Sequence, residues 1–314
     1  MSKDEPKKGP VKISIISAFH DQLPYNEIFW EMLNRYTYHS FELIMVDNAS
    51  SDGSAEFFRN VGAIVVSQSR NCNYSEAMNI GTEKAIGEFI CHMNNDVIVG
   101  MEWDRILIEA MELHSLDIAS PASMELMPTH RESKKTLRRW RRIGGPDFPG
   151  TKGKIIEKWE RMYGDWKDYC VAFEKRNKRE LLDAINGHTV MIRGTAWKKS
   201  GPYDERMLAT DWDLYLRTKK REVIYHDIAG PRVVLSAYVH HFMGTTARVT
   251  KCAYDCKEDT IYDIQDKWSM EELLKYWPFP MHLTSPPKLT EYPIGYLRFA
   301  FKSFFNLYKW GDHW

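Results

Sequence analysis

Short apolar runs alternate with helical patterns through the first third of the chain, and this alternation constrains the fold more than any other feature. Each run is rich in β-branched and aromatic residues and ends at polar or turn-forming residues. The runs span residues 11–18, 41–46, 63–67 and 89–93, with predicted helices at 26–35, 55–60 and 75–86. A strand–helix–strand repeat is typical of a mainly parallel sheet with crossover helices. The predicted fold class is therefore α/β, and ligands of such sheets bind beyond the carboxyl ends of the strands.

The composition excludes several classes of protein. With 314 residues, of which 43% are hydrophobic and 27% charged, the chain can bury a substantial core, which argues against intrinsic disorder and a disulfide-stabilised miniprotein. The 43 basic residues balance the 43 acidic ones, so no net field attracts nucleic acid or membranes. No uninterrupted apolar run of about 18 residues occurs, which excludes a spanning helix. From five scattered cysteines and a polar N-terminus without an apolar leader, we expect a reducing, cytoplasmic location.

Acidic residues and a histidine pair mark the positions where chemistry is expected. They are Asp47 and Asp96 at strand ends, Asp211 and Asp213 at the start of a predicted helix, and His240 and His241 before Gly244. Carboxylates at strand ends suit a divalent cation that holds a diphosphate, because Mg²⁺ and Mn²⁺ take few protein oxygens and share the phosphate oxygens. The pattern predicts a nucleotide diphosphate substrate. A single such Asp is also typical of a solvated helix cap, so the group as a whole supports the prediction.

A series of short motifs along the chain points in the same direction. In the first half the motifs are Val46–Ser54, Asn71 with Asn79–Gly81, and Gly87–Ile90 leading to Asn94–Val97. In the second half they are Gly187–Arg193, Gly201–Glu205, Asp211–Leu214 with Arg217, and His241–Thr246. In this order they resemble the inverting family 2 glycosyltransferases of the GT-A fold, in particular the rhamnosyltransferase-like and galactofuranosyltransferase-like members. The resemblance covers residues 11–127 and 185–247.

The resemblance implies a binding site for the nucleotide sugar. The implied donor-binding residues are Ser17, Ala18, Asp47, Asn79, Asn95 and Asp96. Among them, Asp47 would contact the base or the ribose of the donor. The strand end formed by Ser17 and Ala18 would be the opposite wall of that pocket.

The resemblance also implies a metal site. Asp96 and His241 would bind the Mn²⁺ or Mg²⁺ that bridges the two donor phosphates. The motif Asn94–Asp96 has one carboxylate where many family members have two or three, which is expected to weaken this site. His240 and His241 are neighbours in an extended segment, so only one of them can face the site. The family pattern selects His241 because the following Gly244 then lies at the right distance.

A catalytic base and acceptor contacts follow from the same resemblance. Asp211 takes the second place of the family's Glu-Asp pair and is the candidate general base, while Thr210 stands where Glu is usual. His188 and Asp213 are candidate acceptor-binding residues. Asp213 also fits a structural role, as a first-turn carboxylate paired with Arg217 at i+4. His188 fits the role of a structural histidine equally well.

Two segments that the resemblance does not cover bear on the acceptor. The predicted division of the chain is 1–10, 11–127, a basic insertion or acceptor subdomain at 128–184, 185–250, and a C-terminal extension at 251–314. Residues 131–142 include seven Lys and Arg residues. One interpretation is that they bind an anionic acceptor, such as a phosphate-containing glycan, a lipid diphosphate or DNA. The other is that they form an ordinary solvated surface. An amphipathic pattern at 294–310 fits peripheral contact at the cytoplasmic face of a membrane, or packing against the domain or a second copy.

The predicted function is metal-dependent, inverting transfer of a sugar from a nucleotide diphosphate sugar to a hydroxyl group. A UDP-sugar is the expected donor, and a glycan or lipid-linked glycan in polysaccharide synthesis is the expected acceptor. One alternative is transfer to modified DNA bases, which the basic segment at 131–142 supports. The other is an inactive scaffold that binds nucleotide sugars, motivated by the single carboxylate of Asn94–Asp96 and by Thr210.

Overall fold

A computed structural model describes residues 10–147, 150–178, 180–244, 259–261, 263–277, 290 and 294. The strands in this part of the chain are β1 (Ile13–Phe19), β2 (Phe41–Asn48), β3 (Ile64–Gln68), β4 (Phe89–Met93), β5 (Val97–Val99), β6 (Ile118–Ala122), β7 (Leu181–Leu182), β8 (Thr189–Arg193) and β9 (Arg232–His241). The helices are α1 (Leu23–Tyr36), α2 (Ser54–Asn60), α3 (Tyr74–Thr82), α4 (Trp103–Leu113), α5 (His130–Ile143), α6 (Lys152–Tyr163), α7 (Trp166–Arg176), α8 (Gly194–Ser200), α9 (Thr210–Ile224) and α10 (Met270–Tyr276).

The described strands form a sheet in the order β3-β2-β1-β4-β8-β6-β9-β5, with β7 also paired to β9. Strands β3, β2, β1 and β4 run parallel and are joined by crossover helices, as the alternating pattern predicts. Strand β8 runs antiparallel between β4 and β6, and β9 is parallel to β6 but antiparallel to β5 and β7. The predicted α/β class, with a central parallel sheet and flanking helices, is confirmed. The carboxyl ends of β1, β2 and β4 therefore lie at the same edge.

Two hydrophobic cores cover the two faces of the sheet. Successive side chains of a strand point to opposite faces, so Ile15 of β1 belongs to one core and Ile16 to the other. The first core includes residues of α1, α4 and α5–α7. The second includes residues of α3, α9 and α10. Helices on both faces explain why the parallel strands are continuous apolar runs rather than alternating ones.

The segment 128–184 contains more regular structure than its sequence pattern predicts. Instead of a stretch without sustained periodicity, it holds α5, α6 and α7. Helix α6 buries Ile155, Trp159 and Met162, and α7 buries residues at the same i, i+4 and i+7 spacing. Each apolar stripe is only three residues long and the turn at Gly164 separates the two, so neither stripe extends far enough to stand out.

The sequence of Glu222–Tyr225, with its β-branched and aromatic residues, predicts a further short strand, and this prediction is wrong. Residues 222–224 form the last turn of α9, and Tyr225 caps it. The side chains of Val223 and Ile224 are exposed there, so these β-branched residues belong to no core. An ion pair from Lys219 to Glu222 at i+3 (2.6 Å) stabilises the turn instead.

No helix among the described residues is both long and apolar enough to cross a membrane. The amphipathic segment predicted at 294–310 lies outside the described residues except for Ile294. The three cysteines that the structure describes, Cys72, Cys91 and Cys170, are buried free thiols.

Candidate active site

The end of β2 forms one wall of a site at the carboxyl edge of the sheet. Asp47 is nearly buried, and its Oδ1 accepts a hydrogen bond from the backbone N–H of Ser50 (2.9 Å). This contact turns the chain sharply after the strand, and Ala49 adopts a left-handed conformation in the turn. The second wall is the loop after β1, which Asp21 ties to the β2 loop by accepting the N–H of Ser51 (2.7 Å).

The other residues implied in donor binding are held mainly by protein contacts. Ser17 is fully buried, and its hydroxyl has no hydrogen-bond partner among the described residues. Ala18 is half-buried and packs against the second core. The amide of Asn95 donates to Asn26 (2.8 Å). The amide of Asn79 accepts the N–H of Tyr203 (2.9 Å) and donates to its carbonyl (3.0 Å), so it joins α3 to the loop before α9.

The pairing of β5 with β9 brings Asp96 and His241 together. In this antiparallel pair Val97 lies opposite His241, and the N–H of Phe242 donates to the carbonyl of Asp96 (3.0 Å). Asp96 Oδ1 consequently lies 3.2 Å from His241 Nε2, although the two residues are far apart in sequence. Both side chains are about nine-tenths buried or more. His240 points the other way, toward Tyr163 (2.9 Å), as expected for alternating residues of a strand.

Glu125 also belongs to this cluster, although no sequence motif marks it. Its Oε1 lies 2.7 Å from Nδ1 of His241, and its Oε2 accepts the hydroxyl of Ser123 (2.6 Å). Burial alone would lower the pKa of His241, but the carboxylates of Asp96 and Glu125 outweigh it and raise that pKa. Burial would conversely raise the pKa of Glu125, and the charge of His241 lowers it instead. Both nitrogens of the His241 ring thus face carboxylates.

His188 lies against the same histidine. The two ring centroids are 4.6 Å apart, and ligand atoms of Glu125, His188 and His241 all lie within 4.8 Å of one another. Burial, followed by the charge of His241, lowers the pKa of His188 to about 3, so the ring is neutral. Its Nε2 is buried without a hydrogen-bond partner among the described residues. A group of this kind, with a nearby carboxylate, can hold a divalent ion.

Asp211 reaches the site from the first turn of α9. It is half-buried and forms no ion pair with any described residue. Burial raises the pKa of Asp211 from 3.8 to about 6, although backbone N–H groups at the helix start act in the opposite direction. The carboxylate lies directly against Gly187, the residue before His188: a Cβ on Gly187 would lie 2.3 Å from Asp211 Oδ2. Asp211 is thus adjacent to the histidine cluster and can accept a proton near neutral pH.

Asp213, two residues further along in the same first turn of α9, is shielded from solvent. It is 1% exposed and forms ion pairs with Arg217 (2.9 Å) and Lys267 (2.8 Å). Its Oδ1 also accepts the indole N–H of Trp268 (3.0 Å). The structure therefore contains the Arg217 pair that the structural interpretation of Asp213 expects, and it places the carboxylate between α9 and the segment that leads into α10.

Solved structures of two glycosyltransferases overlap in part with this fold. The mannosyltransferase PcManGT from Pyrobaculum calidifontis, solved with GDP-Man and Mn²⁺, aligns with a TM-score of 0.47 at 14% identity, over 78% of this chain and 63% of that one. GalNAc-T7, solved with UDP, GalNAc and Mn²⁺, aligns with a TM-score of 0.49 at 13% identity, over 74% of this chain and 44% of that one.

Sequence comparison gives a more direct assignment. The glycosyltransferase GlyG of Streptococcus pneumoniae serotype 4 is 25% identical over 183 residues. The match covers 55% of this chain and 59% of GlyG, so the chain spans less than two thirds of that relative. Residues 14–169, which run from β1 into α7, match the sequence profile of Glycosyl transferase family 2. The chain therefore carries a domain of glycosyl transferase family 2.

Proposed function

We propose that the protein transfers a sugar from a nucleotide diphosphate sugar to an acceptor hydroxyl, with inversion at the anomeric carbon and with Asp211 as the general base. One observation carries the proposal. Asp211 is a half-buried carboxylate without an ion-pair partner in the described part of the chain, its pKa is raised to about 6, and it lies beside the cluster of Asp96, His188 and His241. A base with a pKa near the working pH is suited to proton removal.

The donor pocket in this proposal lies at the ends of β1 and β2. Asp47 lies at the carboxyl end of β2, where its carboxylate can accept hydrogen bonds from a ribose or a base. A UDP-sugar is the proposed donor. Hydrogen bonds between Asp21 and Ser51 and between Asp52 and Leu23 join the two loops that form the walls of the pocket. Loops that are held in place before the donor arrives lower the ordering cost of binding.

The residues around Asp96 fit a divalent cation. The test of fit is the donor set: a buried carboxylate, the adjacent ring of His241, and the buried Nε2 of His188, which has no partner among the described residues. We propose that Asp96 and His241 hold Mn²⁺ or Mg²⁺. Such an ion, when bound, stabilises the negative charge that develops on the leaving diphosphate.

The protein's own contribution to the reaction is orientation and proton transfer. Asp211 removes the proton of the acceptor hydroxyl while that oxygen attacks the anomeric carbon from the face opposite the diphosphate. A single displacement of this kind inverts the configuration. Gly187 permits the close approach of Asp211 because any side chain at position 187 would overlap the carboxylate.

The acceptor in this proposal is a glycan or a lipid-linked glycan with anionic groups. Helix α5 supports it, because Arg131, Lys135, Arg138, Arg139, Arg141 and Arg142 are all exposed. Trp140, one of the two buried residues of this helix, packs on His240 and Phe242, which flank His241. We propose that the basic surface on the opposite, exposed side of α5 binds the acceptor. Guanidinium groups pair well with phosphates and carboxylates, which favours an anionic acceptor over a neutral one.

The first test is a thermal-shift panel of UDP, dTDP, GDP and CMP, each with Mn²⁺, Mg²⁺ or EDTA. A ligand at 100 times its dissociation constant stabilises the fold by about 2.7 kcal/mol, which is readily measured. We expect one nucleotide to shift the wild type in the presence of metal, and the Asp96→Ala variant to lose that shift. If no nucleotide shifts the wild type under any condition, the transferase proposal is wrong.

The second test separates an enzyme from an inactive scaffold and a glycan acceptor from DNA. Hydrolysis of the preferred donor should occur with the wild type and be lost in Asp211→Asn and Asp96→Ala. Donor binding without hydrolysis or transfer in the wild type would favour the scaffold. Salt-sensitive binding to duplex DNA, with no transfer to anionic glycans, would favour modified DNA as the acceptor.

A further inference from the structure

The tautomer of His188 is fixed by the residue that follows it. The hydroxyl of Thr189 donates to the carbonyl of His188 (2.8 Å), so its proton is already used. The same hydroxyl oxygen lies 3.1 Å from Nδ1 of His188 and must therefore accept a hydrogen bond from that nitrogen. Nδ1 of the neutral ring then carries the proton. Nε2 is left with a lone pair, and it is buried without a partner among the described residues.

The orientation of His241 is fixed in the same manner. Glu125 Oε1 lies 2.7 Å from Nδ1 of His241 and accepts its N–H. The hydroxyl of Ser123 holds the other oxygen of Glu125 (2.6 Å), so the carboxylate itself is oriented. Nε2 of His241 consequently faces Asp96 (3.2 Å). A carboxylate that accepts the second N–H of a histidine is the usual partner of a metal-binding imidazole.

A buried lone pair without a partner is unfavourable unless a ligand satisfies it. We propose that Nε2 of His188 is a third protein ligand of the divalent-ion site, together with Asp96 and Nε2 of His241, and that Glu125 is the positioning residue of His241. This inference rests on the proposed function for the location of the ion, and it adds two residues to the site. His188 would replace the second carboxylate that the Asn94–Asp96 motif lacks.

The chemistry of this set predicts a preference between the two proposed ions. Two imidazole nitrogens and one carboxylate favour a first-row transition ion, whereas Mg²⁺ prefers an all-oxygen, mostly hydrated environment. We therefore expect the protein to bind Mn²⁺ in the absence of any nucleotide. An excess of Mg²⁺ should displace it poorly.

The experiment measures Mn²⁺ binding without donor, by electron paramagnetic resonance of the free ion, for the wild type and five variants. His188→Asn retains a group near the position of Nδ1, and His188→Gln places an amide near the position of Nε2. Glu125→Ala removes the acceptor for His241, while Glu125→Gln keeps an oxygen that can accept its N–H. His240→Phe is the matched control, because His240 is equally buried but faces Tyr163.

The expected result separates ligand, positioning residue and packing. His188→Asn should weaken Mn²⁺ binding about 10- to 100-fold and remove one ¹⁴N contribution from the electron spin-echo modulation, whereas His188→Gln should stay within a few-fold of the wild type. Glu125→Ala should also lose about 10- to 100-fold, with Glu125→Gln partly rescued. His240→Phe should bind Mn²⁺ as the wild type does. Thermal unfolding in EDTA identifies any variant that does not fold.

Several outcomes would overturn this inference. They are wild-type affinity and unchanged ¹⁴N modulation in His188→Asn, an equal loss in His240→Phe, or no Mn²⁺ binding by the wild type. None of them overturns the proposed transferase activity, which fails if no nucleotide binds or if a bound donor is neither hydrolysed nor transferred. A wild type that binds UDP in EDTA but no Mn²⁺ would contradict the metal site alone.

Discussion

At the scale of single residues, Asp211 predicts the pH dependence of the reaction. A general base acts only in its deprotonated form, and burial raises the pKa of this carboxyl to about 6. We expect kcat/KM to rise about tenfold per pH unit below pH 6 and to level off above it. Initial rates between pH 4.5 and 8.5 measure this. A rate that is flat through pH 6 would contradict the assignment of Asp211.

The same shift in the pKa of Asp211 has a consequence for stability. Between pH 4 and 6 the folded protein holds a proton that the unfolded chain has lost, so rising pH through this window lowers the free energy of unfolding. Asp211→Asn removes this penalty. Urea unfolding should show the variant to be more stable than the wild type at pH 8, by on the order of 2 kcal/mol, and equally stable near pH 4.

Gly187 predicts a loss of activity without a loss of fold. A Cβ at this position would lie 2.3 Å from Oδ2 and 2.6 Å from Cγ of Asp211, so Gly187→Ala must displace the base. A displacement of about 1 Å can cost on the order of 100-fold in rate. We expect kcat to fall by that factor, with unchanged nucleotide affinity in the thermal-shift assay. Gly153→Ala is the matched control, because a Cβ there meets nothing within 4 Å.

At the scale of secondary structure elements, Asp213 joins α9 to the segment before α10. Asp213→Asn leaves Arg217 without a carboxylate, although Lys267 keeps its ion pair with Asp204 (2.9 Å). Breaking a buried ion pair costs up to about 3–5 kcal/mol. Asp213→Asn should therefore lower the melting temperature clearly, while the KM for the acceptor in the folded fraction stays the same. A higher acceptor KM at unchanged stability would instead support the acceptor-binding role that the family resemblance implies.

Helix α5 predicts salt dependence of the transfer step. Its exposed Arg and Lys residues form the proposed acceptor surface, so an anionic acceptor should bind more weakly as salt rises. Replacing Arg138, Arg141 and Arg142 by Gln should reduce the slope of log KM against log salt by about 2 to 3. Donor hydrolysis should keep the same rate and salt response in both proteins, and this serves as the internal control. Identical slopes for transfer would exclude α5 from acceptor binding.

At the scale of the whole molecule, the sequence predicts those helices and strands whose own residues carry the signal. The strand–helix alternation of β1 to β4 is visible because each element carries its own apolar period and turn residues. The antiparallel insertion of β8 and the pairing of β9 with β5 and β6 are not visible, since these contacts join segments more than 70 residues apart. Helices α6 and α7 were missed because their apolar stripes are short.

The candidate site likewise contains residues that the sequence predicts and one residue that it does not. Asp96, His241 and Asp211 are predicted from motif order. The structure brings Asp96 and His241 within 3.2 Å of each other and places Asp211 against Gly187, the residue before His188. Glu125 follows β6, a strand that the sequence pattern does not predict, and no motif marks it. Only the pairing that completes the sheet brings it to His241. Sequence periodicity predicts the face of a helix or strand on which a residue lies. It does not predict which elements pack against each other, and a set of metal ligands depends on that packing.

The cluster of Asp96, Glu125, His188 and His241 also bears on how the protein assembles. Its members are spread over 146 residues and lie at or just beyond the ends of β4, β6 and β9 and at the start of β8. No short fragment of the chain contains the complete set, so the set forms only when the second half of the sheet has joined the first. An ion bound there would hold the two halves together and would stabilise only the fully folded state. Depletion of the ion should therefore promote unfolding of the whole sheet rather than local fraying.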